Sequence, residues 1–416
     1  MKVRAALGCL LLSAVLSSAL SGCSSTLDSL GGDTASDAGS SGGDGVTRRT
    51  VTGPSNYVNT FQVLLGQDPN DINIKIELAF AQLFHPDPAD AATQAIYYEQ
   101  SDNQALIYDS LHTDVRTEGM GLAMLITVEL DHQDEFDRLW RYSKAHLGGS
   151  GSAKGYFTSF CDDDTATPCL DSYGMQQFVL ALLLANGRWQ QADSDSSYAK
   201  DALALLDLLQ HGIGGTFDAK THLVREQPSL APTDYTRSSL EMPASYWYWW
   251  QATGNSFWND AARDARAHLA LAAHPLTGLW PTRSYFNGST PAGSPGFTAQ
   301  GYRTQLNLAL DALWGTASAD QSELASRVLD FFYGKGLDSY GKTFSVDGTS
   351  LDDSGRAQGL ISVNGALAVA APSNAHRTAF VQAVWDQPIP DGDFRYYDGL
   401  LYMMSMLVLS GRMQVY

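Results

Sequence analysis

Two kinds of helical segment alternate along most of this chain. One kind is amphipathic with a charged face, and it recurs six times, at about 72–84, 134–147, 198–210, 257–272, 320–333 and 375–386. The other kind is apolar on nearly every side and also recurs six times, at about 119–130, 176–186, 243–252, 303–314, 359–371 and 397–410. An amphipathic helix lies between a core and water, whereas a helix that is apolar all round must be covered on all sides.

This alternation predicts an all-α fold, the (α/α)6 toroid, with six inner helices surrounded by six outer ones. In such a fold the ends of the inner helices and their loops form a cleft at one face. Long loops rich in Pro, Gly and aromatic residues lie between the helices, for example "GLWPTRSYFNGSTPAGSPGF" at 278–297. Long loops inside a domain are usually functional or disordered, and the aromatic residues in these loops favour a function. Aromatic faces beside polar groups suit sugar rings, which stack while their hydroxyls form hydrogen bonds.

The amino terminus has the pattern of an export signal. Lys2 and Arg4 precede an apolar stretch at 5–20, which is followed by small residues and Cys23. The letters "LSGC" resemble the lipobox of bacterial lipoproteins, in which cleavage precedes a cysteine that becomes lipid-modified. This predicts an exported protein anchored by lipid at Cys23 to the cell envelope, and to the outer membrane if the host is Gram-negative. A cleaved secretory peptide without lipid is the alternative.

The predicted signal peptide therefore spans 1–22. Residues 23–52 are rich in Ser, Gly and Asp and bury too little apolar surface to fold, so they are expected to form a disordered tether. The remaining residues, 53–416, are expected to form one catalytic domain. No later apolar run is long enough to cross a bilayer, so the predicted lipid is the only membrane attachment.

Charge and cysteine content narrow the partners further. The formal net charge is −19, which argues against nucleic acid and polyanionic substrates and fits a neutral or cationic ligand. Cys161 and Cys169 enclose a short loop and are expected to form a disulfide in an exported chain, with two free thiols as the alternative. The nine histidines are scattered outside metal-binding motifs, so no metal and no cofactor is predicted.

Glu118 is the sharpest candidate for chemistry. It lies in "DVRTEGMGLAM" at 114–124, at the first turn of a helix that should be buried. Thr117 is expected to cap this turn, and Gly119 and Gly121 are expected to leave room for a ligand. The alternative is a first-turn glutamate that only interacts with the helix dipole.

The stretch 114–147, "DVRTEGMGLAMLITVELDHQDEFDRLWRYSKAHL", resembles the acid-bearing segment of glycoside hydrolase family 8. The resemblance covers most of 61–416 and includes "QLFHPDP", "YGMQQFVLALLLANGRW" and "QGLISVNGALAVAA". "FRYYDGLLYMMSMLVLSG" and "DVRTEGM" are most similar to the branch of reducing-end xylose-releasing exo-oligoxylanases. The resemblance implies the (α/α)6 fold and hydrolysis of β-1,4 glycans with inversion, with xylo-oligosaccharides as the expected substrates.

Inversion needs a carboxylic acid for the leaving oxygen and a carboxylate that activates water from the opposite face. The resemblance makes Glu118 the acid. The family base is often an Asp in a phrase similar to Phe-x-x-Asp-Ala-x-Arg, and the corresponding text here is "FTAQGYR", with Gln300 at the Asp position. Tyr302 and Arg303 are in place and are expected to order the cleft near the water. A glutamine cannot take a proton at neutral pH, and no Asp or Glu occurs between Asp264 and Asp311.

A relocated base is therefore sought in other loops. The candidates are Asp171, the loop aspartates Asp162, Asp163 and Asp164, and also Asp234 and Glu241. Asp171 lies near the place where the family often carries a substrate-contacting aspartate, and its alternative role is to cap the following helix.

The residues predicted to bind substrate through the resemblance are Gln300, Tyr302, Arg303, Tyr173 and Asp398. Tyr173 falls where an aspartate of the family signature would align when the text is matched back from Trp189. Asp398 in "YYDG" matches the family text and could equally be a first-turn residue. Two hypotheses follow: an active inverting glycosidase, or a glycan-binding lipoprotein that kept the cleft but lost efficient hydrolysis.

Overall fold

A computed structural model of the 416-residue chain describes residues 51–160, 168–189, 197–213, 215–229 and 233–416. The predicted signal peptide, Cys23, Cys161 and the aspartates at 162–164 lie outside the described residues. Of the predicted tether, only Val51 and Thr52 are described. Val51 is buried in the core, so the folded unit begins before the predicted boundary at residue 53.

Helices dominate the described residues. In chain order they are α1 (Thr60–Leu65), α2 (Pro69–Phe84), α3 (Ala91–Gln94), α4 (Thr117–Glu129), α5 (Gln133–Tyr142), α6 (Ser172–Trp189), α7 (Ser197–His211), α8 (Pro243–Thr253), α9 (Ser256–Ala272), α10 (Tyr302–Leu313), α11 (Ala319–Gly334), α12 (Gln358–Leu367), α13 (Arg377–Asp386) and α14 (Arg395–Leu409). A short π-helical turn, Ser143–Leu147, extends α5. None of the described helices combines the length and the apolar character needed to cross a bilayer.

The two predicted classes of segment become two rings. The inner helices α4, α6, α8, α10, α12 and α14 each contact the next, and α14 closes the ring on α4. The outer helices α2, α5, α7, α9, α11 and α13 each pack on an inner one. The predicted (α/α)6 toroid is therefore confirmed.

Burial explains the difference between the two classes. Every residue of α4 except Glu118 is buried, whereas α5 buries only Phe136, Leu139 and Trp140. The predicted helix at 359–371 ends earlier, at Leu367, because the chain turns there while Ala368 and Ala371 remain in the core. Apolar spacing therefore continued past the end of the helix.

Short strands that the apolar pattern did not predict pair in the loops as antiparallel ribbons. They are β1 (Tyr97–Gln100) with β2 (Gln104–Ile107), β3 (Thr158–Phe160) with β4 (Pro168–Leu170), β5 (Tyr235–Thr236) with β6 (Ser284–Tyr285), and β7 (Thr343–Phe344) with β8 (Ser350–Asp352). In the β5–β6 ribbon Thr236 pairs with Ser284. Arg237, which follows β5, and Arg283, which precedes β6, therefore lie next to each other at one end of this ribbon.

The carboxyl end of α4 is closed by the last residues of the chain. Glu129 is buried and accepts hydrogen bonds from the Tyr416 hydroxyl (2.8 Å) and the Gln414 N–H (3.2 Å). Burial raises the pKa of Glu129 to about 8, although these two hydrogen bonds act in the opposite direction. This end of the inner ring therefore holds a carboxyl group in a sealed environment.

Candidate active site

A cleft of about 370 Å³ opens at the amino ends of the inner helices. Glu118 comes from the start of α4, Tyr173 from α6, Arg303 from α10, and Tyr396 and Tyr397 from α14. Because the amino end of a helix carries a partial positive charge, several such ends facing one space favour negative groups there. The toroid thus gathers residues that are far apart in sequence at one mouth.

Glu118 pairs with Arg303 across this mouth. Glu118 Oε1 and Arg303 Nη1 form an ion pair, with the two side chains 19% and 6% exposed. The Arg303 guanidinium also lies 4.1 Å from the centre of the Tyr173 ring. Burial lowers the pKa of Arg303, but Glu118 and the neighbouring tyrosines raise it, so the net shift is upward. Glu118, Tyr173 and Arg303, three of the site residues predicted from the sequence, therefore lie together at this mouth.

Asp171 lies on the same wall as Glu118. Its Oδ1 accepts hydrogen bonds from the N–H groups of Tyr173 (2.8 Å) and Gly174 (3.1 Å), so it caps α6 as well as lining the cleft. A Cβ on Gly174 would lie 2.6 Å from the Thr117 carbonyl carbon and 2.8 Å from Asp171 Oδ2. The carboxylate is therefore beside the residue that precedes Glu118.

Two effects raise the proton affinity of Asp171. Burial, and to a smaller extent the negative charge of Glu118, raise its pKa to about 6. The Gly174 N–H and the Arg303 charge oppose this rise. Asp171 therefore holds its proton more tightly than an exposed aspartate does.

Two expectations about the start of α4 are wrong. The Thr117 hydroxyl does not cap the helix; it donates to the Thr158 carbonyl at 2.7 Å, because Thr117 is already helical. The glycines do not leave room for a ligand either. A Cβ at Gly119 would lie 2.5 Å from the Tyr396 side chain, and one at Gly121 would lie 2.6 Å from Gln177 Cβ. Both glycines serve the close approach of neighbouring inner helices.

Gln300 belongs to a different group of cleft residues. Its Oε1 accepts a hydrogen bond from Arg237 Nη1. Arg237 Nε donates to Glu226 Oε1 at 2.5 Å, and Arg283 Nε donates to Glu226 Oε2 at 2.8 Å. Glu226 lines the cleft and is only 9% exposed.

Sequence reasoning missed Glu226, Arg237 and Arg283. They lie in loops, and their proximity depends on the β5–β6 ribbon, which is only two residues long on each side. The available signal was the pair of short runs "YTR" at 235–237 and "RSY" at 283–285, each an arginine next to strand-forming residues. Such a signal is weak without the structure.

A third group lines the cleft near its edge. Asp109 Oδ2 lies 2.7 Å from His112 Nδ1 and 3.5 Å from Arg116 Nε. Its Oδ1 also accepts from the Leu111 N–H at 3.0 Å. Arg116 Nε donates to Asp114 Oδ1 at 3.0 Å. These contacts fix the loop that leads into α4.

Two predicted substrate-binding residues are not among the described residues that line the cleft. The Tyr302 hydroxyl donates to the Lys342 carbonyl at 2.8 Å. Asp398 accepts from the backbone N–H groups at the start of α12, Gln358 and Gly359, and burial raises its pKa to about 6. Neither side chain lines the cleft, and substrate binding by Tyr302 and Asp398 stays a prediction. Asp398 instead joins the first turn of α14 to the start of α12.

Two candidates for the relocated base are also outside the cleft. Asp234 lines a separate groove with Tyr285 and Phe286. Glu241 is fully buried and accepts hydrogen bonds from Thr236 Oγ1 (3.0 Å) and the Val224 N–H (3.3 Å), and burial raises its pKa to about 8. Neither carboxyl group faces the space that Glu118 faces.

The structure describes one of the two cysteines that were predicted to form a disulfide. Cys169, in β4, is disulfide-bonded, whereas its predicted partner Cys161 lies outside the described residues. Within the part of the chain that the structure describes, no three His, Cys, Asp or Glu side chains are grouped to hold a metal ion.

Comparison with known proteins identifies the family of this chain. The model of the family described as glycosyl hydrolases family 8 matches residues 101–411. The chain is 31% identical to a reducing end xylose-releasing exo-oligoxylanase of Halalkalibacterium halodurans, over 86% of this chain and 94% of that protein. The chain belongs to family 8 of the glycosyl hydrolases.

Other family 8 members show the breadth of the similarity. The solved structure of Rex8A from Paenibacillus barcinonensis complexed with xylose has a TM-score of 0.78 and 29% identity, covering 86% of this chain and 97% of that one. Endoglucanase C of Ruminiclostridium cellulolyticum is 24% identical over 73% of this chain and 65% of its own length. The predictions of family, fold and glycoside hydrolase activity are confirmed.

Proposed function

We propose that this family 8 glycosyl hydrolase cleaves β-1,4-linked xylo-oligosaccharides with inversion, and that Glu118 is its general acid. The relatives that align over nearly their whole length are reducing-end xylose-releasing exo-oligoxylanases. The observation that carries the proposal is the position of Glu118, a carboxyl group at the mouth of the inner ring that faces a cleft containing other carboxylates. A neutral sugar also suits a chain with a net charge of −19.

Two neighbouring side chains hold Glu118 in position for this role. In an inverting reaction the acid gives its proton to the leaving oxygen as the bond from that oxygen to the anomeric carbon breaks. Arg303 and the stacked Tyr173 hold the side chain of Glu118 in one place at the cleft wall. Positioning of this kind contributes to the rate because less ordering is required in the transition state.

Asp171 acts beside the acid rather than opposite it. Its carboxylate neighbours the residue before Glu118, and the base of an inverting enzyme must reach water on the other face of the sugar. A negative charge at Asp171 stabilises the positive charge that develops on the sugar ring. We therefore assign Asp171 to charge stabilisation in the catalytic site.

The test is to identify the products and their anomeric form. Purified protein is incubated with xylotriose, cellotriose and chitosan oligomers, and the first products are followed by proton NMR. We expect α-anomeric product from the β-linked xylose oligomer, and a rate lowered by about 10²- to 10⁴-fold in Glu118→Gln. Asp234→Asn, which changes a carboxylate outside the cleft, is the matched control and should retain activity.

A glycan-binding role without efficient hydrolysis is the second candidate. It is favoured by Gln300, whose side-chain oxygen accepts from Arg237 at the position where the family often has an aspartate. Measurable binding of xylo-oligosaccharides without turnover of any oligomer would establish this role and contradict the hydrolase proposal.

We also propose that the protein is exported and held at the cell envelope by lipid on Cys23. The support is the basic and apolar order of residues 2–20 followed by "LSGC". Metabolic labelling with an alkyne fatty acid in a bacterial host should label the wild type but not Cys23→Ala. Equal labelling of the two proteins would contradict the proposal.

A further inference from the structure

Four carboxylates line the cleft among the residues that the structure describes: Asp109, Glu118, Asp171 and Glu226. Asp109 is bonded to His112 and to two backbone N–H groups of its own loop. Asp171 lies beside the segment that carries Glu118. Glu226 is the remaining one, and it is connected to Gln300 through a single guanidinium, that of Arg237.

The β5–β6 ribbon explains why Glu226 is held there. The ribbon brings Arg237 and Arg283 to neighbouring positions, where two like charges would repel each other. Glu226 lies between them, with ion pairs to both. Buried charges are tolerated when they are paired in this way. The three side chains therefore form one fixed unit on the side of the cleft that contains Gln300.

We propose that Glu226 is the general base of this enzyme and replaces the aspartate that the family often has at position 300. The proposal rests on the proposed hydrolase function. A water oxygen attacks the anomeric carbon, the bond to the leaving oxygen breaks, Glu118 gives its proton to that oxygen, and Glu226 takes a proton from the water. The two carboxyl groups then return to their starting states by exchanging protons with solvent.

The hydrogen bonds of Glu226 leave one acceptor position on its carboxylate for this role. Among the residues that the structure describes, Oε1 accepts from both arginines, whereas Oε2 accepts one hydrogen bond, from Arg283 Nε. A carboxylate oxygen has two acceptor positions, so Oε2 retains one for a water proton. The unit has two positive charges and one negative charge, which favours a water molecule that is losing a proton.

Gln300 complements this base. Its side-chain oxygen is occupied by Arg237, so the amide nitrogen is the group that remains to donate a hydrogen bond into the cleft. A donor there can hold the oxygen of the attacking water or of the sugar, but it cannot remove a proton. Gln300 is therefore a positioning residue next to the base.

The experiment compares Glu226→Gln, Glu226→Ala and the double variant Glu226→Gln/Gln300→Asp with wild type on xylotriose. Loss of a general base costs roughly 10²- to 10⁴-fold in rate, so we expect a kcat loss in this range for Glu226→Gln with little change in KM. The double variant should recover at least about tenfold of the loss, because an aspartate next to Arg237 again offers a carboxylate.

Azide distinguishes a base from a purely structural residue. With Glu226→Ala, azide ion attacks the anomeric carbon, Glu118 protonates the leaving oxygen, and an α-glycosyl azide forms without removal of a proton from the nucleophile. We expect azide to accelerate Glu226→Ala and to give this product, and to leave Asp234→Asn unaffected. A Glu226→Gln rate within threefold of wild type overturns the assignment, and so does a loss that neither azide nor Gln300→Asp restores.

The outcomes separate this proposal from the hydrolase proposal. An active wild type with an inactive Glu118→Gln and an undiminished Glu226→Gln overturns only the role of Glu226. A wild type that turns over no oligomer overturns both.

Discussion

Helix α4 has a glutamate near each end, and the surroundings of the two carboxyl groups are opposite in character. Glu118 at the amino end faces the cleft and pairs with Arg303. Glu129 at the carboxyl end is buried. Among the described residues no arginine forms an ion pair with Glu129, and its carboxyl group accepts hydrogen bonds from the Tyr416 hydroxyl and the Gln414 N–H. The amino end of a helix favours a negative charge and the carboxyl end opposes one.

This contrast shows how one buried helix supports both stability and chemistry. Glu129 is kept protonated over most of the neutral range because burial raises its pKa to about 8. Glu118 is 19% exposed in its side chain and accessible from the cleft. The helix therefore places one glutamate where a ligand can reach it and the other where none can.

The largest expected effect comes from exchanging each glutamate for its amide. Glu118→Gln should lower kcat by about 10²- to 10⁴-fold, because the leaving oxygen loses its proton donor. Glu129→Gln should leave kcat within about threefold of wild type, because the removed acid lies away from the cleft. The measurement is hydrolysis of xylotriose by both variants. Equal losses in the two variants would remove the distinction between the ends.

The next effect is on stability as a function of pH. The folded-state pKa of Glu129 is raised to about 8, above its unfolded value, so the native state binds more protons than the unfolded state between about pH 4.5 and 8. The free energy of unfolding should therefore fall as pH rises through this window, by an amount on the order of a few kcal/mol. Urea unfolding at pH 5 and pH 8 measures it.

The control for this pH effect is Glu129→Gln, whose side chain does not titrate. The fall in stability between pH 5 and 8 should be smaller in this variant. Glu241, whose pKa burial also raises to about 8, accounts for part of what remains. An unchanged fall in Glu129→Gln would show that other groups cause the pH dependence.

A smaller effect is expected between the two ends, at Gly121. A Cβ there would lie 2.6 Å from Gln177 Cβ, on the neighbouring inner helix. Gly121→Ala should destabilise the fold by about 1–3 kcal/mol, since the two helices must separate. Gly334→Ala, where no atom lies within 4 Å of the added Cβ, is the matched control. A destabilisation of the control as large as that of Gly121→Ala would contradict the packing argument.

The sequence predicted the two rings of helices and singled out Glu118 for different physical reasons. A helix with no polar face has to be inside, so the apolar run after Glu118 was sufficient to place α4. Glu118 itself stood out because a carboxyl group beside such a run is costly unless it has a use. Both inferences depend on residues within a few turns of one another.

What the sequence did not predict depends on contacts between distant segments. Glu226 and Arg237 come together with Gln300 across more than sixty residues of chain, through a ribbon with two paired positions. The partners of Gly119 and Gly121 come from α14 and α6. No periodicity in the sequence reports which side chain fills the space beside a glycine.

The seam between α4 and α14 has a consequence for folding kinetics. Gly119 lies against Tyr396, which comes from the last inner helix of the ring. Contacts between such distant segments form slowly because a long loop must close first. Glu118 and Tyr396 therefore come together only when the ring closes. The rate at which enzymatic activity returns during refolding should report the rate of this closure.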